Sequence, residues 1–290
     1  MENPQRTIAR VIEYSGVGLF TGEEVKLCLK PAPVNTGIFF TRTDIEGRPK
    51  IPASVKTISD CERQISIKKN DSEIKSIEHL MAAFAGFGID NIEIETNGTE
   101  VPAGDGSSFI FTQLLKDAGI VEQEEPKKVF FLQKELKVSS GDASITASPY
   151  DKGFLLSYIL DFDGSYISEQ IFEIEITEDS FSTQIARART FGLNTVIGEF
   201  KRKGLGKGIT DDNSLILHED GSITKPLSMS PAELRFPDEC IRHKILDIIG
   251  DLYLTTFPIC ARIVATKSGH YLNALMAKKI VEISENQANN

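Results

Sequence analysis

Apolar residues along this chain follow two periods, and the changes between them mark out its elements. In the first third the period is short. Residues 7–14, 25–29 and 37–42 carry β-branched or aromatic side chains between Gly, Pro and Asn clusters, which predicts strands. A further strand is expected around 63–67, and 91–96 alternates apolar with polar. Between these two the period lengthens. Ser76 is placed to N-cap a helix whose stripe is Leu80, Ala83, Phe84 and Phe87, with Gly86 or Gly88 ending it. A second amphipathic helix is expected over 107–118, after the Asp105-Gly106 turn. Residues 122–128, reading EQEEPKK, are charged and contain no apolar side chain, and they read as a linker.

The same order then recurs. Strands are expected at 129–138, 143–148, 154–162 and 171–176, and helices at 180–188 and about 195–203. A glycine-rich GLGKGIT run follows, and residues 215–217 and Ile223 flank a hairpin-like His218-Glu219-Asp220-Gly221 turn. The strongest periodicity lies at 235–254. Pro237 can open a helix because its missing N–H would be unsatisfied there anyway. Ile241, Ile245, Ile248, Ile249 and Leu252 then mark a buried face. A strand at 259–266 and a helix over about 271–284 complete the pattern, with the ENQANN tail expected to fray. Strands then helices, twice, predict an α+β protein of two layered α/β sandwich domains of similar topology. Their expected bounds are 1–125 and 126–290, with an insert near 193–235 and an active site in the cleft between them. No sequence repeat is visible, so any duplication would be one of structure.

Composition narrows the function. The chain has 290 residues, 40% hydrophobic and 26% charged, enough for a sizeable core. A formal net charge of -10 argues against nucleic acid, whose affinity rests on phosphate neutralisation. The N-terminus lacks a basic region followed by an apolar one, so no secretory signal is expected. No apolar run approaches the roughly 20 residues of a bilayer span. Cys28, Cys61, Cys240 and Cys260 form no CxxC pair and read as reduced thiols of a cytoplasmic protein.

The four histidines concentrate the chemistry. His243 and Asp247 stand one helical turn apart, close enough to grip one metal ion. The same spacing also fits an ordinary contact on a solvated basic run, Arg242-His243-Lys244. His79 lies in the first turn of its helix with Glu78 beside it. A carboxylate next to a ligating imidazole can serve as general base, although acidic residues belong in a first turn on dipole grounds alone. His270 begins the last helix, with Asp251 a possible carboxylate to orient it and keep it charged. The HExxH signature is absent, GLGKG lacks the Walker spacing, and His218 reads as surface.

Taken in order, GVGLFTG, PAPVNTGIFF, SIEHLMAAFAGFGIDN, RARTFG, GLGKG, IRHKILDIIGDLYL and KSGHYLNA resemble the zinc-dependent UDP-3-O-acyl-N-acetylglucosamine deacetylases of lipid A biosynthesis. The likeness runs from Arg6 to about Val281. It implies His79, His243 and Asp247 as zinc ligands, with Fe2+ possible in the same set. It implies Glu78 as general base, and His270 as general acid or oxyanion electrophile oriented by Asp251. Thr190 would stand where the oxyanion forms, Lys244 and Lys267 near the diphosphate, and Phe191 along the substrate groove. The insert would shape a passage for the acyl chain.

Three stretches depart from the family pattern. Phe20 replaces the usual histidine, VPAGDGSS replaces a PILDGS-like run, and ITDDNS replaces a glycine-serine sequence near the insert. The implied activity is hydrolysis of the N-acetyl group of a UDP-linked, 3-O-acylated amino sugar. That would be a small-molecule substrate handled without a membrane span, nucleic acid or obligatory protein partner. The dehydratase module that some members carry is not expected after residue 290. A zinc amidase for another N-acylated substrate, and a metal-free nucleotide- or protein-binding module, are the competing readings.

Overall fold

A computed structural model describes residues 3–162 and 166–288. The first half holds strands β1 (Pro4–Ile8), β2 (Ile12–Val17), β3 (Glu24–Pro31), β4 (Ile38–Arg42), β5 (Lys50–Pro52), β6 (Ile58–Asp60), β7 (Ser66–Lys69) and β8 (Ser72–Ile74). Helix α1 (Glu78–Phe87), strand β9 (Ile92–Thr96), helix α2 (Phe109–Ala118) and strand β10 (Ile120–Pro126) complete it. The second half holds β11 (Phe130–Phe131), β12 (Leu136–Ser140), β13 (Ala143–Pro149), β14 (Phe154–Leu160) and β15 (Gln170–Glu175). After these come α3 (Glu178–Ser180), β16 (Phe191–Leu193), α4 (Asn194–Lys203), β17 (Leu215–Leu217), β18 (Ile223–Thr224), α5 (Glu239–Leu252), β19 (Ile259–Thr266) and α6 (His270–Ala288).

The two main sheets have one topology. The first runs β2-β3-β9-β4-β5 and the second β12-β13-β19-β14-β15, with β11 added beside β19. In each, the fifth strand in sequence lies in the middle, antiparallel to the second and parallel to the third. In each, one helix precedes that central strand and another follows it: α1 and α2 around β9, α5 and α6 around β19. Each half also inserts a three-stranded sheet before the helix that precedes its central strand, β6-β7-β8 ahead of α1 in one and β16-β17-β18 ahead of α5 in the other. The α+β architecture and the likeness of the halves are therefore as expected, and the duplication is carried by topology alone.

Alternation explains the central strands. In β19, Ile259, Ala261, Ile263 and Ala265 are buried, and the residues between them are not. Buried side chains from both halves form one continuous core. Through it α1 packs on α5, helix to helix. Gly250 makes that approach possible, because a Cβ there would overlap the backbone carbonyl of Glu78 and crowd the backbone nitrogen of Ala82.

Several local expectations are corrected. Residues 7–14 form two strands, since Ile8 pairs with Ile120 in one sheet and Ile12 with Leu29 in another. The supposed linker is strand β10, paired with β1, and Lys127 just beyond it donates to the carbonyl of Gly88 at the end of α1. Ser76 does not cap α1: it has φ of 56°, and its hydroxyl faces Gln64 and Glu100 instead. Residues 181–185 form a π-helical turn after α3. Helix α5 starts at Glu239, whose buried carboxylate accepts hydrogen bonds from Arg189, and α6 stays helical to Ala288. Among the described residues no helix is long and apolar enough to cross a membrane.

Replacing Gly250 with alanine tests the helix contact. Propensity alone favours alanine by about 1 kcal/mol, but both obstructing atoms are backbone and cannot rotate away. Gly250→Ala is expected to destabilise the protein by about 1–3 kcal/mol in denaturant unfolding; a variant more stable than the parent would refute the close contact.

Candidate metal centre and active site

The first turn of α1 and the middle of α5 meet at one end of a cavity of about 480 Å³. His79 comes from α1, and His243 and Asp247 from consecutive turns of α5. One ligating atom from each lies within 4.8 Å of the other two. Nε2 of His243 stands 3.4 Å, and Nε2 of His79 3.7 Å, from Oδ1 of Asp247. The imidazole rings are nearly perpendicular, with centroids 4.9 Å apart. Nδ1 of His243 is 3.0 Å from the carbonyl oxygen of Ala188, a contact that orients the ring and leaves Nε2 for the centre.

These residues pass a test for a metal. Lys244 Nζ donates to Oδ2 of Asp247 at 2.7 Å, whereas Oδ1 is buried with no hydrogen-bond partner. A buried, unpartnered carboxylate oxygen is costly unless something cationic satisfies it. Two imidazole nitrogens and one carboxylate oxygen are the donor set of an open, catalytic divalent site. Electrostatics prepare the set. Burial, with His79 adding to it, pushes the His243 pKa down to about 4, so this imidazole is neutral and free to ligate. Burial opposes ionisation of Asp247, but Lys244, His243 and His270 outweigh it and hold the carboxyl well below its usual range. Burial likewise opposes the charge on Lys244, and Asp247 more than restores it.

Glu78 is buried beside this centre, and its Oε2 accepts the backbone N–H of Ile65 at 3.0 Å. Burial raises its pKa, although His270 and His79 pull against that. His270, which lines the same cavity, has its Nδ1 2.8 Å from Oδ2 of Asp251, which is fully buried. Asn273 Nδ2 donates to the same oxygen at 2.7 Å. Burial disfavours the His270 cation, but Asp251 first and Asp247 second raise the pKa to about 9. Because that value lies above the ordinary 6.5, the pair's stabilisation is complete below pH 6.5 and is lost as pH rises through about 9.

The remaining expected residues line the same cavity: Thr190, Phe191, Lys244 and Lys267. The backbone N–H of Thr190 donates to Gly106 at 2.8 Å and its carbonyl accepts from Leu215 at 3.0 Å, which pins it between the halves. Phe191 sets its ring edge-on to His243, centroids 6.2 Å apart. Lys267, at φ 51°, pairs with Asp142 at 2.7 Å and Asp161 at 3.3 Å. Asp251 lies behind His270, outside the cavity lining, and His218 is elsewhere, bonded to Thr224 at 2.8 Å. Leu19, Phe20, Leu193, Ile197 and Phe200 give the cavity an apolar wall.

Some contributors carry no signal in the sequence. The partners of Glu78 and His243 are backbone groups of Ile65 and Ala188, which no side-chain pattern can reveal. Asn273 was findable, because it stands three residues after His270 on α6. The departures from the family pattern also have local jobs. Gly106 of VPAGDGSS allows the close approach of the Asn213 carbonyl. In ITDDNS, Asp211 accepts the N–H groups of Leu227 and Ser228, and Asn213 bridges Thr210 and Gly208.

A His-His-Asp cluster able to hold a metal, with a buried carboxyl and a carboxylate-backed imidazole lining the same cavity between duplicated α+β layers, is equipment that suits a metal-dependent hydrolase. Comparison with known proteins makes this specific. The family model for UDP-3-O-acyl N-acetylglycosamine deacetylase matches residues 5–282. A UDP-3-O-acyl-N-acetylglucosamine deacetylase of Coxiella burnetii (strain CbuK_Q154) is 39% identical over 279 residues, covering 96% of this chain and 90% of its own. One from Myxococcus xanthus (strain DK1622) is 38% identical over 277 residues, covering 96% and 86%. The chain belongs to this deacetylase family.

Removing a ligand tests the centre directly. His243→Ala is expected to weaken divalent-metal affinity by at least about 100-fold, read as metal per chain after dialysis. Unchanged metal content would rule out the assigned ligands.

Proposed function

We propose that this chain hydrolyses the N-acetyl amide of UDP-3-O-acyl-N-acetylglucosamine, releasing acetate and UDP-3-O-acyl-glucosamine in lipid A biosynthesis. The observation that carries the reading is the meeting of His79, His243 and Asp247 with a buried carboxyl and a carboxylate-backed imidazole in one cavity that also has an apolar wall. The metal would be Zn2+, with Fe2+ fitting the same ligands, held by His79, His243 and Asp247. When bound, it supplies Lewis acidity toward water and the amide carbonyl.

The chain's own groups carry the protons. Glu78, fixed by Ile65 and raised in pKa by burial, takes a proton from the attacking water. His270, cationic through Asp251, and Thr190 donate hydrogen bonds to the oxyanion as the carbonyl carbon becomes tetrahedral. Collapse of that carbon then needs a proton on the leaving amine, and both Glu78 and His270 stand in the cavity with one to give. Phe191 packs the sugar side of the groove, while Lys244 and Lys267 bring positive charge toward the diphosphate; Lys267 would exchange Asp142 and Asp161 for it. The apolar wall receives the acyl chain. In this reading the site lies between two domains, residues 1–125 and 126–290, the second carrying the insert near 193–235. Four free cysteines support a cytoplasmic site of action.

Acetate release from the 3-O-acylated UDP sugar should be strong, should stop on chelation, and should be nearly absent for the sugar lacking its acyl chain. Equal rates on both sugars would count against the apolar passage. Glu78→Gln should keep its metal and lose at least about 100-fold in turnover; near-native turnover would remove Glu78 from the mechanism. Activity should decline on the alkaline side as His270 loses its proton. Asp251→Asn should move that decline to lower pH, and an unmoved profile would disconnect His270 from it.

A further inference from the structure

Glu100 is only 1% exposed, and among the described residues it forms no ion pair. A carboxylate so placed has to be held by donors. Its Oε1 accepts the backbone N–H of Phe20 at 2.9 Å and faces the Ser76 hydroxyl at 3.1 Å. Its Oε2 accepts the N–H and the hydroxyl of Thr21, at 2.9 and 2.7 Å. Gly18 lies so close that a Cβ there would run into the same carboxylate.

Two features of the site meet at this group. On one side is the turn at residues 18–22, which supplies Leu19 and Phe20 to the apolar wall. That turn accepts N–H groups from the glycine loop of the second half: Gly208 donates to Leu19 at 3.0 Å and Lys207 to Phe20 at 3.4 Å. The Phe20 ring packs on Phe200 of α4, centroids 5.9 Å apart. On the other side is Ser76, in left-handed backbone at φ 56°, two residues before Glu78. A non-glycine residue there is held by its surroundings and has little freedom to absorb a shift.

We propose that Glu100 is a positioning residue that couples the acyl-chain wall to the start of the catalytic helix. The inference rests on the deacetylase reading and deepens it. An acyl chain filling the apolar end presses on Phe20 and Phe200 and fixes the 18–22 turn. Glu100 passes that constraint through Ser76 to Glu78 and His79. Binding energy from a remote part of the substrate is thereby expressed in turnover as well as in affinity.

The test compares UDP-N-acetylglucosamine bearing a long 3-O-acyl chain with the same sugar bearing 3-O-acetyl, using the metal-loaded full chain. Glu100→Gln keeps the shape but offers an amide nitrogen where two donors now point. It should reduce the long-over-short preference in kcat by about tenfold or more, with metal content unchanged. Ser76→Ala removes the hydroxyl between Glu100 and α1, together with its contact to Gln64, and leaves the Phe20 and Thr21 bonds to Glu100 in place; it should lose the same preference while amide hydrogen exchange of residues 18–22 stays as in the parent. In Glu100→Gln that exchange should quicken, together with exchange at residues 206–209. Equal losses on both sugars, or a loss confined to KM, would overturn the coupling. Unchanged exchange at 18–22 in Glu100→Gln would overturn the anchoring itself. Should the parent chain release no acetate from either sugar, the deacetylase reading fails first, and the exchange measurement still decides whether Glu100 holds the turn.

Discussion

The site depends on two helices touching backbone to backbone. Helices α1 and α5 come close enough to bring His79, His243 and Asp247 together only because Gly250 presents no Cβ to the carbonyl of Glu78. Adding one carbon there moves apart the helix that carries Glu78 and His79 and the helix that carries His243 and Asp247. Packing and chemistry are therefore one constraint. The glycine stands two turns after His243 and one residue before Asp251, on the helix that supplies half of the site.

That proximity brings an electrostatic cost, because several ionisable groups are buried together. The arrangement spreads the cost by pairing. Lys244 answers one oxygen of Asp247 and Asp251 answers His270, while His243 stays neutral through burial. What remains unanswered is informative. Oδ1 of Asp247 and Oδ1 of Asp251 lack hydrogen-bond partners, and the first faces the imidazoles of His79 and His243. A divalent cation there would complete the charge balance at the same point where it would act on substrate.

Much of this is legible in the sequence because helix periodicity and four histidines leave few ways to assemble a site. The spacing of His243 and Asp247, one turn apart, is enough to put them side by side, and the stripe Leu80, Ala83, Phe84 and Phe87 is buried as its spacing implies. What is not legible comes from backbone and from long-range pairing. A polar run such as EQEEPKK looks like a linker until β1 is seen to pair with it. Ser76 looks like a cap until its hydroxyl is found turned toward Gln64 and Glu100. Neither partner lies within a helical turn, so no local pattern encodes the choice.

Duplication accounts for how the halves divide the work. The same helix position, just before the central strand, gives α1 in one half and α5 in the other, so pairing these helices sets equivalent segments face to face. The inserts precede the same two helices and therefore reach the same cavity from either side: Glu62 and Arg63 belong to one, and Phe191, Leu193 and α4 to the other. Arg63 stacks on Phe200 across that gap, with the guanidinium 4.7 Å from the ring centroid. Phe20 fits this wall in two ways. Its backbone N–H and carbonyl meet the polar demands of Glu100 and Lys207, which leaves the side chain free to be apolar against Phe200. A polar ring at that position would lose hydrogen bonds to water against an apolar wall, whereas phenylalanine has none to lose.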